Sequence, residues 1–195
     1  HAPDLTLFHE AITDFPAGRP VRLWFQDEAR FGRISDRRRC PAPLPVRPVV
    51  GRQMVRQSIY AVEAVEPWRG ELSSLVRPWV DAETMSIFLA HVAAAQGQAC
   101  GVMALDGAGR HRAEALRVPH NLRLLFLPPY SPELNPVEHV WQWLRDNVIG
   151  NQVFAQPDAV EECLVGGLGR LATQPDTLRS LTLFDWLDTL CLTSN

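Results

Sequence analysis

The sequence predicts an α/β fold in which helices cover a mixed β-sheet. Extended segments come first and are followed by an alternation of helical and short apolar segments, an order typical of a mixed sheet with helices packed on it. Two later segments, 101–105 and 122–127, are continuously apolar, as buried parallel strands are. The 195 residues suffice for one domain with a full core. We expect a linker over 1–20, a core over 21–150 and C-terminal helices over 151–195.

The first half of the chain contains mainly strand patterns. Its expected elements are a short helix over 5–12, strands over 21–27, 30–34, 57–65 and 71–76, and a turn at 67–70. In the first strand apolar and polar residues alternate, and the apolar face ends in Asp27. Four prolines in 40–48 exclude a central strand there. They favour an exposed Arg- and Pro-rich loop at about 36–56.

The second half contains stronger helix signals. The expected helices cover 81–95, 110–116, 136–149, 157–171 and 176–190, and the expected strands are 101–105 and 122–127. Asp81 is a suitable N-cap for the first of these helices. In the helix that follows the proline-rich loop 128–136, Asn135 can cap, Pro136 suits the first position and Glu138 the third. Its expected buried stripe is Val137, Val140, Trp141, Leu144 and Val148.

Composition and charge exclude several classes of protein. No apolar run approaches the ~18 residues of a transmembrane helix. The four cysteines are too far apart for a zinc knuckle, so reduced thiols and a cytoplasmic location are expected. All 19 basic residues are arginine, and eight of them lie between Arg30 and Arg56 against one acid. That segment is either a phosphate-binding surface or a solvated loop.

Three carboxylates fall at the ends of expected elements. Asp27 and Asp106 end strands, and Glu138 opens a helix. Ligands of open α/β sheets gather beyond the carboxyl ends of strands, and converging carboxylates suit Mg²⁺ or Mn²⁺. Each acid also has a simpler explanation: a turn for Asp27 and Asp106, and a capping box with Asn135 for Glu138.

Three short motifs carry these acids. Residues 127–141 read L-P-P-Y-S-P-E-L-N-P-V-E-H-V-W, residues 104–111 read A-L-D-G-A-G-R-H, and residues 23–31 read L-W-F-Q-D-E-A-R-F. In this order they resemble the catalytic motifs of the mariner-like superfamily of DDE transposases, in its bacterial insertion-sequence branch. The sequence departs from that branch at Gly107, where Asn is usual. Residues 1–20 hold no helix-turn-helix module, so we expect the catalytic domain alone.

The resemblance implies a ribonuclease-H-like fold with a mixed five-stranded sheet. It also implies that Asp27, Asp106 and Glu138 hold two Mg²⁺ or Mn²⁺ ions and that DNA strands are cleaved and transferred by in-line phosphoryl transfer. The expected partners are double-stranded DNA, as transposon ends and target, and a second copy of the chain in a homodimer at the bacterial nucleoid. No membrane partner is expected. The expected DNA contacts are Arg33, Arg37, Arg38, Arg39, Arg47, Arg52, Tyr130 and Ser131.

Two alternatives remain open at this point. One is an inactive transposase remnant that only binds DNA, and the other is a ribonuclease-H-like nuclease of another pathway. His139 and Trp141 flank the third motif and are expected to be structural.

Overall fold

The computed structural model describes the chain except for residues 1–5, 7–9, 12–14, 17, 35–37, 40–41, 48, 108–114, 130 and 190–195. Within the described residues the strands are β1 (Val21–Ile34), β2 (Met54–Glu66), β3 (Glu71–Arg77), β4 (Cys100–Leu105) and β5 (Leu122–Phe126). The α-helices are α1 (Ala82–Ala95), α2 (Val137–Leu144), α3 (Pro157–Ala172) and α4 (Pro175–Thr182). No helix of this part of the chain is long and apolar enough to cross a membrane.

The five strands form one mixed sheet in the order β3-β2-β1-β4-β5. β1 pairs antiparallel with β2, and β2 pairs antiparallel with β3. β1 pairs parallel with β4, and β4 pairs parallel with β5. β4 and β5 therefore end at the same edge of the sheet, whereas β1 leaves its pairing with β4 at Phe25 and continues to Ile34.

Helices cover both faces of the sheet. α1 packs on the face that carries Trp24, Val62 and Met103. The opposite face carries Phe25 and Ala104, and its hydrophobic core includes residues of α2, α3 and α4. Because both faces are covered, polar residues that alternate along these strands are buried as well.

Most expected elements are present, with two differences. The expected strand over 30–34 continues β1 without a break, because these residues pair with the first half of β2. The expected last helix ends at Thr182 and is followed by a 3-10 turn, Asp185–Thr189. Leu183 is extended there, with φ −83° and ψ 92°, so the helix cannot continue through it. The short helix expected over 110–116 lies mostly outside the described residues.

Local signals place the helix starts. The Asp81 carboxylate accepts from the Thr84 N–H at 2.8 Å, as an N-cap does. In α2 the four stripe residues Val137, Val140, Trp141 and Leu144 are all buried. A π-helical turn, Arg145–Ile149, follows α2, and Val148 in that turn is buried. The chain then leaves the helix at Gly150, in agreement with the expected end.

Candidate active site

Two of the three predicted acids have equivalent positions relative to neighbouring parallel strands. Asp106 follows β4 as expected, but Asp27 does not end its strand, because β1 continues to Ile34 by pairing with β2. Phe25 of β1 lies opposite Ala104 of β4, and Asp27 and Asp106 each come two residues later. Side chains alternate between the faces of a strand, so Asp27 shares the face of Phe25. At the same register Asp106 follows Ala104. Both acids therefore lie at the edge of the sheet that α2 approaches.

The third acid, Glu138, is brought to this edge by two hydrogen bonds between α2 and β1. The Asn135 side-chain amide donates to the Gln26 carbonyl at 3.0 Å. The Trp141 indole N–H donates to the Asp27 carboxylate at 2.8 Å. Glu138 lies between these two anchors in the first turn of α2. The start of the helix is thus fixed against the end of the apolar face of β1.

The capping box that would explain Glu138 structurally is not formed. The Asn135 backbone N–H, which a capping-box glutamate would bind, donates instead to the Pro132 carbonyl at 3.0 Å. The Asn135 side-chain oxygen accepts from the Val137 N–H at 3.2 Å. The helix starts one residue later than expected, with Pro136 rather than Asn135 as its N-cap and Glu138 at its second position. The Glu138 carboxylate is half-buried and is not used in the cap.

The electrostatics of Asp27 indicate that the three acids are close to one another. The pKa of Asp27 is raised to about 6, mainly by burial and to a smaller extent by the negative charges of Glu138 and Asp106, while the hydrogen bond from Trp141 lowers it. Loss of water around a carboxylate and like charges nearby both favour its neutral form. Negative charge is therefore concentrated at this edge, where Asp27 is largely shielded from water.

This chemistry fits a divalent cation bound through oxygen ligands. A cation would neutralise the charge that raises the pKa of Asp27. Among the described residues, however, no three His, Cys, Asp or Glu side chains are grouped closely enough to enclose an ion by themselves. The fit therefore rests on the donor types and their placement.

A fourth acid, Glu63, lies beside Asp27 and was not singled out by the sequence. Glu63 of β2 is the cross-strand partner of Asp27. It is completely buried, and it accepts a hydrogen bond from the hydroxyl of Ser74, its partner on β3. Burial raises the pKa of Glu63 well above its usual value. In the sequence it stood as an ordinary polar position of an alternating strand.

Two residues that follow Glu138 on α2, His139 and Trp141, make contacts with other parts of the protein. His139 Nδ1 is 2.8 Å from the Leu181 carbonyl, and its ring packs against Phe184, so its structural role is confirmed. Trp141 is buried as expected, but it also holds Asp27. A buried indole N–H usually has an acceptor, but the sequence alone does not indicate which one.

The expected DNA-contacting residues are placed unevenly. The Arg33 guanidinium donates to the Phe154 carbonyl and to Gln57. Arg38 forms an ion pair with Asp146 at 3.5 Å. Arg39, Arg47 and Arg52 are exposed, and Ser131 is half-buried. Arg37 and Tyr130 lie outside the described residues. Contacts of any of them with DNA stay a prediction.

Two side-chain amides hold the ends of the arginine-rich loop. Asn151, at φ 61°, accepts from the Arg38 N–H at 2.9 Å and donates to the Arg38 carbonyl at 3.1 Å. Gln53 donates to the Phe154 carbonyl at 2.8 Å and accepts from the Phe154 N–H at 3.1 Å. Residues 39–52 thus start and end on the segment that follows α2.

The class of protein follows from comparison with known families. The chain belongs to the DDE superfamily endonuclease family, whose model matches residues 22–161. The protein y4pE/y4sA of Sinorhizobium fredii (strain NBRC 101917 / NGR234) is 41% identical over 128 residues. That match covers 65% of this chain and 95% of the relative.

Solved structures of Mos1, a mariner transposase, have a similar fold. The Mos1 paired-end complex with Mn superposes with a TM-score of 0.59 at 15% identity, covering 86% of this chain and 55% of that chain. The Mos1 strand transfer complex gives 0.57 at 16% identity, covering 92% and 59%. The chain thus spans somewhat more than half of the Mos1 chains. The expected ribonuclease-H-like fold with a mixed five-stranded sheet is confirmed.

Proposed function

We propose that this chain is the catalytic domain of a mariner-superfamily transposase of the insertion-sequence type. It cleaves DNA strands at transposon ends and joins them to target DNA. The observation that supports the proposal is the placement of Asp27 on β1, where Trp141 of α2 donates to it and the charges of Glu138 and Asp106 contribute to raising its pKa. Membership of the DDE superfamily endonuclease family supports the same chemistry.

Asp27, Asp106 and Glu138 would hold two divalent cations, Mg²⁺ or Mn²⁺. Structures of Mos1 complexes with Mn and with Mg support this choice. When bound, such ions activate the attacking oxygen and stabilise the leaving oxygen of a phosphodiester. The protein holds its carboxylates at the edge of the sheet. The hydrogen bonds of Asn135 and Trp141 to β1 keep α2 in position beside them.

The reaction has two phosphoryl transfers. Water attacks the phosphorus at the transposon end, the bond from phosphorus to the 3′ oxygen breaks, and that oxygen leaves as a hydroxyl. The freed 3′-hydroxyl then attacks the phosphorus of a target phosphodiester, the bond from that phosphorus to the 3′ oxygen of the target strand breaks, and that oxygen leaves as a hydroxyl. Double-stranded DNA is therefore both substrate and product, and a homodimer would bring two ends together at the bacterial nucleoid. The Mos1 paired-end complexes support this arrangement.

The decisive experiment compares Glu138→Gln with Glu133→Gln in nicking of a supercoiled plasmid in Mn²⁺ or Mg²⁺. Glu133 is an exposed carboxylate of the same motif, so its substitution removes the same charge near the site. We expect Glu138→Gln to melt at the temperature of the unsubstituted protein and to lose nicking, and Glu133→Gln to retain it. Cleavage without sequence preference is expected, because base-specific recognition needs an element placed in a groove of DNA.

Two results would contradict the proposal. Full nicking activity of the Glu138→Gln variant would show that Glu138 is not part of the catalytic site. Absence of nicking by the unsubstituted protein with either ion, while DNA binding persists, would favour an inactive remnant that only binds DNA.

A further inference from the structure

β1 and β2 continue past the rest of the sheet as a two-stranded ribbon. The pairing of β1 with β4 ends at Phe25, and the pairing of β2 with β3 ends at Tyr60. Beyond these points only residues 30–34 and 54–59 pair with each other. One face of this ribbon is covered, because Phe31 packs on Trp141 and Arg33 donates to the Phe154 carbonyl.

The other face of the ribbon carries arginines around a tyrosine. Arg30, Tyr60 and Arg77 are register partners across β1, β2 and β3, so their side chains project from the same face in a row, with ~4.8 Å between strands. Arg56 and Ser58 continue this face along β2. We call Arg30, Arg56, Ser58, Tyr60 and Arg77 the ribbon patch.

A depression of about 470 Å³ lies on the ribbon. Its described lining residues include Arg30, Gly32, Arg56 and Ser58, and none of the described ones is acidic. Gly32 lines this depression and has no side chain to fill it. A Cβ at this position would meet the Gln57 carbonyl oxygen at 2.5 Å, so the two strands approach here more closely than a side chain would permit.

The three arginines of the patch differ from other arginines of the chain. Arg22, Arg33 and Arg38 are held by acceptors within the protein. Arg30, Arg56 and Arg77 are exposed, and within the described part of the chain their guanidinium groups have neither a hydrogen bond nor an ion pair. Glu28 lies two residues before Arg30 on the same face of β1, but none of the three arginines is ion-paired to it, and three exposed cations form a surface complementary to a polyanion.

We propose that the ribbon patch binds the backbone of the DNA strand beside the phosphodiester at the carboxylate edge. Arg30, Arg56 and Arg77 contact its phosphates, and Ser58 donates a hydrogen bond to one of them. Arg30 lies three residues after Asp27 on β1, about 10 Å at the usual rise per residue. Arg30 and Asp27 lie on opposite faces of β1. A DNA strand that passes around the edge of the sheet can therefore contact both residues. The identity of the polyanion as DNA rests on the proposed function.

Three cations spread over three strands match the repeating charges of a nucleic-acid backbone better than a single small anion. The half-buried ring of Tyr60 lies between two of them. An aromatic ring next to basic groups is a usual platform for a base of a strand that is not fully paired.

The test measures binding of a short fluorescein-labelled DNA duplex of arbitrary sequence by anisotropy, in EDTA, over a series of salt concentrations. The variant carries Arg30→Gln, Arg56→Gln and Arg77→Gln. The matched control carries Arg19→Gln, Arg170→Gln and Arg179→Gln, which removes the same charge from exposed arginines elsewhere. Each phosphate contact contributes about 0.9 to the slope of log K against log salt. We expect the patch variant to lose about 2.7 from this slope and the control to lose almost nothing.

Equal slopes for the patch variant and the control would overturn the proposal. If the triple variant does not fold, the three single variants test the same point, and each should lose about 0.9. Because EDTA removes divalent cations, the result is independent of cleavage. Loss of slope in a protein that never nicks DNA would support the patch and contradict the proposed chemistry, and nicking with an unchanged slope would do the reverse.

Discussion

Asp27 and Glu63 face each other across β1 and β2, yet their surroundings differ. Asp27 lies at the open edge of the sheet, where it receives a hydrogen bond from Trp141 and the charges of Glu138 and Asp106, and its pKa is about 6. Glu63 is completely buried with Ser74 as its hydrogen-bond partner, and its pKa is well above the usual range.

The difference shows that access to solvent, and not burial of an acid as such, separates a candidate ligand from a structural carboxyl group. Near neutral pH a cation can replace the proton of Asp27 at small cost. Ionisation of Glu63, so deep in the core, is far more costly, and its pKa lies well above the usual range. Two acids in one row of the sheet can therefore have opposite roles.

The largest expected effect concerns cleavage. Asp27→Asn should lower plasmid nicking at least ~100-fold, since even residues that only orient metal ligands contribute about 10–100-fold. Glu63→Gln replaces a protonated acid by a group of the same shape and should nick like the unsubstituted protein. Nicking rates in Mn²⁺, with melting temperatures as the folding control, make the comparison. Equal losses in both variants would end the distinction between the two acids.

The next effect is the pH dependence of stability. The folded protein binds the proton of Asp27 more tightly than the unfolded chain does, because the pKa rises from 3.8 to about 6. The stabilisation is complete below pH ~3.8 and is lost as the pH rises towards ~6, by about 3 kcal/mol in total.

Urea unfolding in EDTA at several pH values checks this sign. Asp27→Asn lacks the titrating group, so its stability relative to the unsubstituted protein should increase between pH ~4 and pH ~6.5. In the unsubstituted protein at neutral pH, Mn²⁺ should restore part of the lost stability by binding the folded state. An identical pH profile for both proteins would show that Asp27 ionises without cost.

A smaller effect is expected from Trp141→Phe. This change removes the N–H that donates to Asp27, and a hydrogen bond to a charged group contributes about 1.5–3 kcal/mol. The pKa of Asp27 should rise, because this bond lowers it, and the pH window of the preceding experiment should move upwards. Trp143→Phe, two residues further along α2, is the matched control. A window that moves equally in both variants would argue against the hydrogen bond as the cause.

The smallest effect is expected at the buried acid. Ser74→Ala removes the hydroxyl that donates to Glu63 and should cost about 1 kcal/mol of unfolding free energy, with nicking unchanged. Ser73→Ala, on the opposite face of β3, provides the comparison. A loss of nicking in Ser74→Ala alone would connect Glu63 to the reaction.

Local features of this fold could be predicted from the sequence, and non-local ones could not. The Asp81 cap and the stripe on α2 depend on residues within a few positions of each other, so periodicity and capping preferences suffice. The extension of β1 to Ile34 depends on pairing with Met54, across a long loop. The sequence of residues 30–34 alone does not predict this pairing partner.

The candidate site follows the same division. The position of Asp106 followed from a strand end. The strand-end prediction for Asp27 was wrong, because β1 continues past it by pairing with the distant β2. The burial of Glu63 did not follow, because alternation in β2 suggested a solvated face, whereas helices cover both faces of the sheet. The hydrogen bond from Trp141 joins residues that are 114 positions apart, and spacing contains no information about it.

The amide pairs at Asn151 and Gln53 have an evolutionary consequence. They hold the two ends of the loop 39–52 in place, so a change of sequence or length within the loop does not displace the sheet or the acids. Doubling the length of a closed flexible loop costs only about 0.6 kcal/mol in chain entropy. Insertions and deletions between the two amides should therefore be nearly neutral for folding. Related chains can diverge most in this loop while their catalytic edge stays the same.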